Sequence, residues 1–558
     1  MGLFPSEGKN RPPTVAKSET HPFSRSAKAT ARAEPGRRGW RSPWLAVLMG
    51  GLLMGLTPAP VNAWPLAWIA LVPLWRAVVN PDSSPSLWRA FGLGCLWSAT
   101  YHGIVLSWIT YLHPLTWMGV PWLASVGIAL FAWAFITGLG TLTFGLWAVL
   151  LRWASDRCQF SWGGRLLMGT ALWCLLETLL SWGPLAWPFL SLTQSPGNLW
   201  IVQLGRLAGP AAITAAIVAV NGCWAEMSLS PVLSRGRWGK PARGAALLGL
   251  LLLGGLHSLG GFLYQQPFRD RPAAALKIGL IQGNIPTREK LTPAGTRQAI
   301  AAYTDGYREL VAQGADAVLT PEGAMPELWT SDRQRHSPLL QAVRAAGVPL
   351  WLGTFRPVGP IANREMTQSL VNLDAQGQVT SQYNKVKLVP LGEYIPFEAT
   401  LGRLISRLSP VSSSLLPGRT DQIFATPFGI AAIGICYESP YSELFRRQVA
   451  NGAEWIMTAS NHDPYPSRMM LQHHALDVLR AVESDRWAVR VTNTGISGVV
   501  TPHGDTIWRS EPNEYVTELT QIYRRQSLTL YGRWGNWLTW GLMALALGRV
   551  LTALRKTP

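Results

Sequence analysis

Residues 120–151 read VPWLASVGIALFAWAFITGLGTLTFGLWAVLL, a run that contains no charged side chain. A helix needs about 20 mostly apolar residues to cross the hydrocarbon core of a bilayer, because each residue advances the helix by about 1.5 Å. This run is long enough for a spanning helix that is tilted or extends beyond the bilayer. It identifies the chain as a membrane protein.

The composition of the whole chain agrees with that interpretation. Of the 558 residues, 14% are charged, 48% are hydrophobic and 28 are Trp. Soluble domains carry about 25% charged residues, and Trp is favoured where a membrane meets water. This balance excludes a disordered, collagen-like or ordinary cytosolic protein. The net charge of +18 lies largely between apolar stretches, where it indicates topology, so no nucleic-acid partner is expected.

Outward from residues 120–151, further apolar stretches predict a polytopic α-helical membrane protein with about eight spans. The candidate spans are 44–57, 61–79, 90–110, 120–151, 164–182, 199–222, 243–264 and 534–553. We therefore divide the chain into four parts. These are a basic tail expected to be disordered and cytoplasmic (1–42), a helical membrane region of about seven spans (43–266), a large domain (268–530) and a C-terminal span (533–554).

The Lys and Arg residues of the loops predict the orientation of these spans. The tail and every second loop carry basic residues, whereas the loops at 57–63, around His113 and at 182–198 carry none. Basic loops stay in the cytoplasm, so the alternation predicts a cytoplasmic N-terminus and an extracytoplasmic domain 268–530. An alternative start, a signal peptide cleaved after Ala63, fits less well because its basic region would be unusually long.

The chain has five cysteines, and only Cys436 lies in the predicted outer domain. It has no partner there for an internal disulfide. A lone thiol in an oxidising compartment is either buried and inert or kept for chemistry, and both interpretations stay open at this point. No Cys or His spacing indicates a metal site, so we expect neither a metal nor a cofactor.

Residues 268–530 alternate short apolar runs with amphipathic stretches, which predicts layered β-sheets flanked by helices. Strands are predicted at 276–282, 316–320, 349–354, 428–435, 454–459 and 487–493, a hairpin at 369–383, and helices at 293–313 and 333–346. Glu322, Lys385 and Cys436 each follow an apolar run, where functional residues of α/β folds are commonly found.

Together these three residues are a plausible set for acyl transfer. A carboxylate can take the thiol proton, and an ammonium group can stabilise first the thiolate and then the oxyanion of a tetrahedral intermediate. Lys387 is a rival for the lysine role. It lies two residues after Lys385 and would share its face of an extended strand.

The short motifs around these residues resemble those of known families. Pro-Glu-Gly at Glu322, Tyr-Asn-Lys at Lys385 and Gly-Ile-Cys-Tyr-Glu at Cys436 resemble the Glu-Lys-Cys triad of the nitrilase superfamily. With the membrane architecture, QGNIP at 282–286, LVPLGEYIP at 388–396 and TNTGIS at 492–497 resemble the apolipoprotein N-acyltransferases. The resemblance implies a nitrilase-like αββα sandwich in residues 268–530, on the periplasmic side of a bacterial inner membrane.

The resemblance also implies a two-step acyl transfer, the last step of lipoprotein maturation. Cys436 would take a fatty acyl chain from a phospholipid as a thioester. The α-amine of a diacylglyceryl-cysteine at the N-terminus of an apolipoprotein would then receive it. In this scheme Glu322 is the general base and Lys385 stabilises negative charge.

Three further residues match supporting positions of the family: Glu393, Tyr437 and Glu438. For Glu393 a purely structural ion pair with a lysine is the alternative interpretation. Two other functions also stay open. They are a membrane-tethered carbon–nitrogen hydrolase that uses the same triad on a small amide, and a non-enzymatic scaffold or transporter.

Some features depart from the family or fall outside the triad. The segment 461–466 reads NHDPYP where the family commonly has Asn-Asp-x-Trp-Phe, and we expect His462 within it to be an exposed, solvated loop residue. Leucines and isoleucine at helical spacing in 401–408 predict either an amphipathic lid or a helix packed on the domain. Glu177 and Arg206 lie in apolar spans, where we expect pairing or snorkelling.

Overall fold

The computed structural model describes residues 42–81, 84–187, 189–229, 232–233, 237–330, 337–359, 365–390, 392–394, 415–463 and 465–555. The predicted lid at 401–408 lies outside the described residues, and so does the basic tail up to residue 41.

The first half of the chain is helical. Its α-helices are α1 (Pro43–Gly55), α2 (Val72–Val79), α3 (Leu87–Val105), α4 (Trp122–Cys158), α5 (Trp162–Trp182), α6 (Leu199–Val202), α7 (Gly205–Ala208), α8 (Pro210–Leu229) and α9 (Lys240–Tyr264). Among the described residues, four helices are both long and apolar enough to cross a membrane: α4, α8, α9 and Trp537–Leu554 near the C-terminus.

Two of the eight predicted spans are divided into short separate helical segments. Residues 61–79 contain a 3₁₀ turn, Trp64–Trp68, followed by α2, and residues 199–222 contain α6, α7 and the start of α8. Before α8, Gly209 has a φ of 65° and Pro210 has no N–H to donate, so a helix cannot run through this point. Hydropathy is the same on both sides of such a break, and a count of apolar residues therefore misses it.

Four Trp side chains form the centre of the helical region. Trp75, Trp97, Trp147 and Trp173 are fully buried, and their ring centroids lie 5.0–5.7 Å apart in successive pairs. Each indole N–H donates a hydrogen bond within the bundle, as Trp97 does to the Ala70 carbonyl at 3.0 Å. Part of the high Trp content therefore fills a core, where a satisfied N–H is required, and does not mark the bilayer surface.

The second half of the chain contains two six-stranded sheets. The strands are β1 (Ala275–Gln282), β2 (Ala317–Leu319), β3 (Leu350–Pro357), β4 (Met366–Leu373), β5 (Val379–Asn384), β6 (Phe424–Thr426), β7 (Gly429–Ile435), β8 (Trp455–Ser460), β9 (Ala488–Thr492), β10 (Gly498–Val500), β11 (Thr506–Arg509) and β12 (Val516–Tyr523). The predicted strands are confirmed with small shifts at their ends.

The sheet orders are β12-β1-β2-β3-β4-β5 and β11-β10-β9-β8-β7-β6. In each sheet three central strands are parallel, β1–β2–β3 in the first and β7–β8–β9 in the second. Parallel strands end at the same edge of their sheet. The residues that follow β7 and β8 therefore come together.

The two sheets pack face to face and carry helices on their outer faces. Ile278 and Trp351 of the first sheet meet Ile433 and Trp455 of the second in one buried cluster. The outer helices are α10 (Thr287–Lys290), α11 (Pro293–Ala312) and α12 (Pro338–Ala346) on the side of the first sheet, and α13 (Ser442–Ala450) and α14 (Ser467–Ser484) on that of the second. This is the layered α/β sandwich expected from the sequence. Two helices follow it, α15 (Leu530–Trp534) and α16 (Trp537–Leu554).

Helix α14 joins the sandwich to the helical region. From Met469 to Ser484 every residue except Leu471 is buried. Val478 packs toward the second sheet, whereas Leu476 and Leu479 pack among the bundle helices. Because α14 is buried on both sides, its polar residues must find partners within the protein.

Ion pairs satisfy the charged groups at this junction. Asp477 is paired with Arg490 from β9, and both side chains are 2–3% exposed. Arg206 on α7 pairs with Asp485 at 3.0 Å, so its partner comes from the sandwich. Glu177 accepts hydrogen bonds from three neutral donors, including the Thr214 hydroxyl at 2.6 Å. The pairing expected for Arg206 is therefore found, but not with Glu177.

We predict that Asp477→Ala lowers the free energy of unfolding by about 3–5 kcal/mol, because it leaves the Arg490 guanidinium buried without its carboxylate. Guanidinium unfolding in detergent, followed by Trp fluorescence, measures the change. Asp421→Ala is the matched control, since it removes an aspartate from the exposed pair Arg419–Asp421 and should shift the midpoint little. Equal shifts of the unfolding midpoint in the two variants would contradict the importance of the buried ion pair on α14, the helix that joins the sandwich to the helical region.

Candidate active site

Lys385 is the centre of the site. It follows β5, and its backbone N–H donates to the Gln368 carbonyl of β4 at 2.8 Å. Its side chain is fully buried, with Nζ 2.8 Å from Oε1 of Glu322 and 2.5 Å from Oε1 of Glu393. Burial opposes the charge, but the two carboxylates outweigh it and raise the pKa of Lys385 well above its ordinary value. The residue is a permanent cation at neutral pH.

Each carboxylate uses its second oxygen to accept a backbone hydrogen bond. Oε2 of Glu322 accepts from the Asn461 N–H at 2.8 Å, and Oε2 of Glu393 from the Val389 N–H at 2.9 Å. Burial raises the pKa of Glu393, and the ammonium of Lys385 opposes that shift. These contacts fix the direction in which both carboxylates face the lysine.

The turn that carries Glu322 lies directly against β3. The Pro321 carbonyl oxygen is 2.0 Å from the point that a Cβ atom on Gly353 would occupy. Any side chain at residue 353 would push the glutamate away from the lysine. The requirement for glycine here comes from a contact between strands and is not visible as a local pattern.

Cys436 follows β7 in a sharp turn. Its φ is 49°, in the left-handed region that non-glycine residues rarely adopt, and it begins the 3₁₀ turn Cys436–Glu438. The half-buried Sγ lies 3.8 Å from the Asn461 carbonyl oxygen. Burial and the nearby Glu322 raise the pKa of the Cys436 thiol, and Lys385 lowers it in part. The surroundings therefore favour the neutral thiol over the thiolate.

Glu438 connects the turn of the cysteine to the loop of the lysine. Its Oε1 accepts from the Val386 N–H at 2.6 Å, the Lys387 N–H at 3.1 Å and the Tyr383 hydroxyl at 3.2 Å. Its Oε2 accepts from the Ile435 N–H at 2.7 Å. Burial raises the pKa of Glu438 to about 7, against the effect of these donors. In the described contacts the carboxylate binds backbone N–H groups beside both Lys385 and Cys436 and touches neither the ammonium nor the thiol.

Tyr437 connects the same turn to the helical region. Its hydroxyl donates to the Pro184 carbonyl at 3.1 Å and accepts from the Ala186 N–H at 3.2 Å. Its ring is parallel to that of Trp187, with centroids 6.4 Å apart. The segment after α5 is therefore held beside the cysteine.

Lys387, the rival for the lysine role, faces another part of the molecule. Its Nζ donates to the carbonyls of Trp182 and Gly183, each at 3.3 Å, and lies 4.5 Å from the centroid of the Tyr441 ring. Residues 385–387 are not extended as a strand, so the two lysines do not share a face. The expectation from a spacing of two is wrong for that reason.

The segment after β8 supplies contacts that the sequence did not reveal. Asn461 meets both Glu322 and Cys436 through its backbone, and Tyr465 packs edge-on against Trp108 of the helical region at 5.3 Å. Only the position of the segment in the sequence could have indicated these contacts. The segment follows β8 at the same sheet edge where Cys436 follows β7. Contacts made by backbone atoms cannot be recognised from the residue type.

His462 is fully buried, and the expectation of a solvated loop residue is wrong. Its Nε2 lies 2.6 Å from Nδ1 of His473 on α14. Burial and the nearby Arg490 lower the pKa of both imidazoles well below the ordinary value. Its ring lies against α14 and Gly495, and a loop covered by segments distant in sequence cannot be recognised as buried from its own composition.

We predict that Lys385→Met lowers the free energy of unfolding by about 3–5 kcal/mol at pH 8 and by less at pH 5, because two carboxylates then face each other without a cation. Burial and the neighbouring Glu322 raise the folded-state pKa of Glu393, and without the ammonium nothing opposes that shift. Protonation of Glu393 at low pH then relieves the cost, so stability falls as the pH rises. Unfolding in detergent at both pH values measures this. Lys277→Met, at an exposed lysine, is the control, and a pH-independent loss in Lys385→Met would contradict the prediction.

Two family models match this chain. The model described as the apolipoprotein N-acyltransferase N-terminal domain matches residues 50–223, and the carbon-nitrogen hydrolase model matches residues 277–522. Among solved structures, a mutant of the Nesterenkonia AN1 amidase from the nitrilase superfamily covers 49% of this chain and 98% of its own, at 19% identity and a TM-score of 0.36.

Curated relatives match the chain over nearly its full length. The apolipoprotein N-acyltransferase of Nostoc sp. is 49% identical over 499 residues, which cover 88% of this chain and 96% of the relative. That of Thermosynechococcus vestitus is 46% identical over 504 residues, 89% of this chain and 92% of the relative. Identity of this extent across both halves shows that the chain belongs to the apolipoprotein N-acyltransferase family.

Proposed function

We propose that this enzyme transfers a fatty acyl chain from a phospholipid to the α-amine of a diacylglyceryl-cysteine at the N-terminus of an apolipoprotein, through a thioester on Cys436. The observation that carries the proposal is the buried Lys385 ammonium, held between Glu322 and Glu393 within electrostatic range of the thiol. A base, a cation and a nucleophile are thereby assembled in a site of low polarity.

In the first half-reaction Glu322 takes the proton of the Cys436 thiol as the sulfur attacks the ester carbonyl carbon of the phospholipid. The raised pKa of the thiol makes this concerted removal necessary. Lys385 stabilises the oxyanion that forms. The carbon–oxygen ester bond then breaks, Glu322 returns the proton to the leaving oxygen, and a lysophospholipid departs.

In the second half-reaction the free α-amine of the acceptor attacks the thioester carbon. Glu322 accepts a proton from the nitrogen, Lys385 again stabilises the oxyanion, and the carbon–sulfur bond breaks. The sulfur recovers a proton, so the enzyme returns to its starting state. Glu393 keeps Lys385 charged and oriented, while Glu438 and Tyr437 position the turn that carries the sulfur.

An apolar cavity supports delivery of the acyl chain from the membrane side. It has a volume of about 60 Å³ and lies between α3, α4 and the segment after α5. Its lining includes Leu106, Ile136, Leu139 and Trp187, together with Tyr437 beside the nucleophile. Each CH₂ group kept out of water stabilises the bound chain by about 0.8 kcal/mol. The acyl carbons nearest the ester can therefore be kept out of water during the reaction.

The proposed topology follows the loop charges. The chain crosses a bacterial inner membrane about eight times, with the N-terminus in the cytoplasm and the catalytic sandwich, residues 268–530, in the periplasm. The membrane region is 43–266, the last span is 533–554, and residues 1–42 form a cytoplasmic tail. An acceptor lipoprotein that has already been exported would meet the site on that side.

Intact mass measurement tests the chemistry. Purified protein incubated with phospholipid should gain one fatty acyl mass on Cys436, and hydroxylamine should remove it. A diacylglyceryl-cysteinyl peptide should discharge the adduct much faster than water does. Cys436→Ala should gain nothing, whereas Cys158→Ala should behave as the parent protein. Discharge at the same rate without the peptide would favour the hydrolase alternative. An acyl adduct in Cys436→Ala would contradict the proposed mechanism.

Thiol labelling tests the topology. In a variant without other reactive cysteines, Arg419→Cys on the exposed surface of the sandwich should react with a membrane-impermeant maleimide in spheroplasts. Arg157→Cys, in the last turn of α4, should react only after permeabilisation. The reverse pattern would overturn the proposed orientation.

A further inference from the structure

A second cavity lies where the helical region meets the sandwich, on the side of Tyr441. We name it the junction cavity. Its volume is about 220 Å³, and its lining includes Lys387, Arg447, Glu443, Trp182, Tyr441 and Asn536. Neither Cys436 nor the two carboxylates that hold Lys385 line it. The mechanism above makes no use of it.

The mouth of the junction cavity favours an anion. The ammonium of Lys387 is held by two carbonyl oxygens and an aromatic ring, none of which carries a full negative charge. The carboxylate of Glu443 is bonded by Arg446 at 2.6 and 2.7 Å and by Nε of Arg447 at 2.9 Å. One carboxylate thus faces two guanidinium groups, which leaves the charge of Arg447 only partly compensated. The carboxylate of Glu438 acts on Lys387 electrostatically, but in the described contacts no carboxylate binds the Lys387 ammonium directly.

The other carboxylate of the lining lies deeper and is already satisfied. Glu177 is five residues before Trp182 on α5, a distance of about 7 Å along the helix axis. Its oxygens accept hydrogen bonds from the Trp173 indole, the Leu190 N–H and the Thr214 hydroxyl. It does not neutralise the cations at the mouth. Burial lowers the pKa of Lys387. An anion in the cavity would stabilise the charged ammonium, and this interaction would favour binding of the anion.

The surroundings of the cavity fit a lipid. Trp182 and Trp540 are both largely exposed beside it, with ring centroids 6.3 Å apart, and such pairs are typical of a bilayer surface. Along the helices below them, Leu179, Leu545 and Leu547 expose apolar side chains. A cationic mouth above an apolar helix surface matches a phosphate headgroup above its acyl chains.

We propose that the junction cavity binds the phosphate of a phospholipid through Lys387 and Arg447, with the acyl chains lying along α5 and α16. The site rests on the proposed function only in that it needs this end of α5 to lie at the outer surface of the bilayer. Since Tyr437 and Tyr441 pack edge-to-face at 5.6 Å, the lipid occupies the far side of the turn that carries the nucleophile.

Native mass spectrometry of the full-length protein tests the site with a diether phosphatidylglycerol. The parent protein should retain one molecule after weaker lipid contacts are stripped. Lys387→Gln and Arg447→Gln should each weaken retention about tenfold, the effect of losing one charge-assisted contact. Arg419→Gln, which removes an exposed arginine elsewhere on the sandwich, is the matched control and should retain the lipid as the parent does.

Two further ligands separate a lipid site from simpler explanations. An uncharged dialkylglycerol should not be retained, and inorganic phosphate in large excess should not displace the diether lipid. Equal retention by Lys387→Gln and the parent, retention of the dialkylglycerol, or displacement by inorganic phosphate would each overturn the proposal.

The diether lipid has no ester to cleave, so this measurement is independent of Cys436 chemistry. Failure of the parent protein to form an acyl-enzyme from ester lipids would count against the proposed function alone.

Discussion

The ammonium of Lys385, enclosed between Glu322 and Glu393 with no exposure to solvent, is the contact on which the architecture of the site depends. An isolated buried charge is costly, and the cost is offset only if opposite charges approach closely and their remaining lone pairs are satisfied. The backbone N–H groups of Asn461 and Val389 meet that condition. Three loops from different parts of the sandwich must therefore be in place before the charge can be buried.

The same requirement explains why the turn that carries Cys436 is bound by another buried carboxylate. Glu438 collects donors from the strand of the cysteine and from the loop of the lysine, so neither can move without leaving a buried N–H unpaired. The strained φ of Cys436 is maintained by this network. Preorganisation of this kind fits the proposed mechanism, in which a single cation stabilises the oxyanions of both half-reactions.

The membrane region contributes to the site as well as anchoring it. Helix α14 packs on the second sheet and on the bundle, and Tyr437 binds the segment after α5. The apolar cavity beside Tyr437 is lined mostly by residues of the helical region, so a sandwich released from the helices would lose most of its lining. This arrangement suits the proposed reaction, in which donor and acceptor both remain lipid-anchored.

Much of the candidate site could be identified from residue types next to strand ends. Glu322, Lys385 and Cys436 follow β2, β5 and β7, and an apolar run followed by a reactive side chain is visible without coordinates. The separation of Lys385 from Lys387 was not visible, because it depends on the chain leaving the strand conformation after residue 384. The contacts of Asn461 were hidden too, since they involve its backbone, and His462 was misjudged because its cover comes from another part of the chain.

By itself the sequence determined that the chain enters a membrane, that an α/β sandwich follows the helices and that Cys436 is the cysteine of that sandwich. These properties depend on composition and local periodicity, which can be read directly from the sequence. Only the tertiary structure decided which apolar stretches are continuous helices, which lysine meets the carboxylates and which Trp residues form a core. Those outcomes depend on proline and glycine geometry and on the pairing of buried charges between distant segments, which residue type alone does not encode.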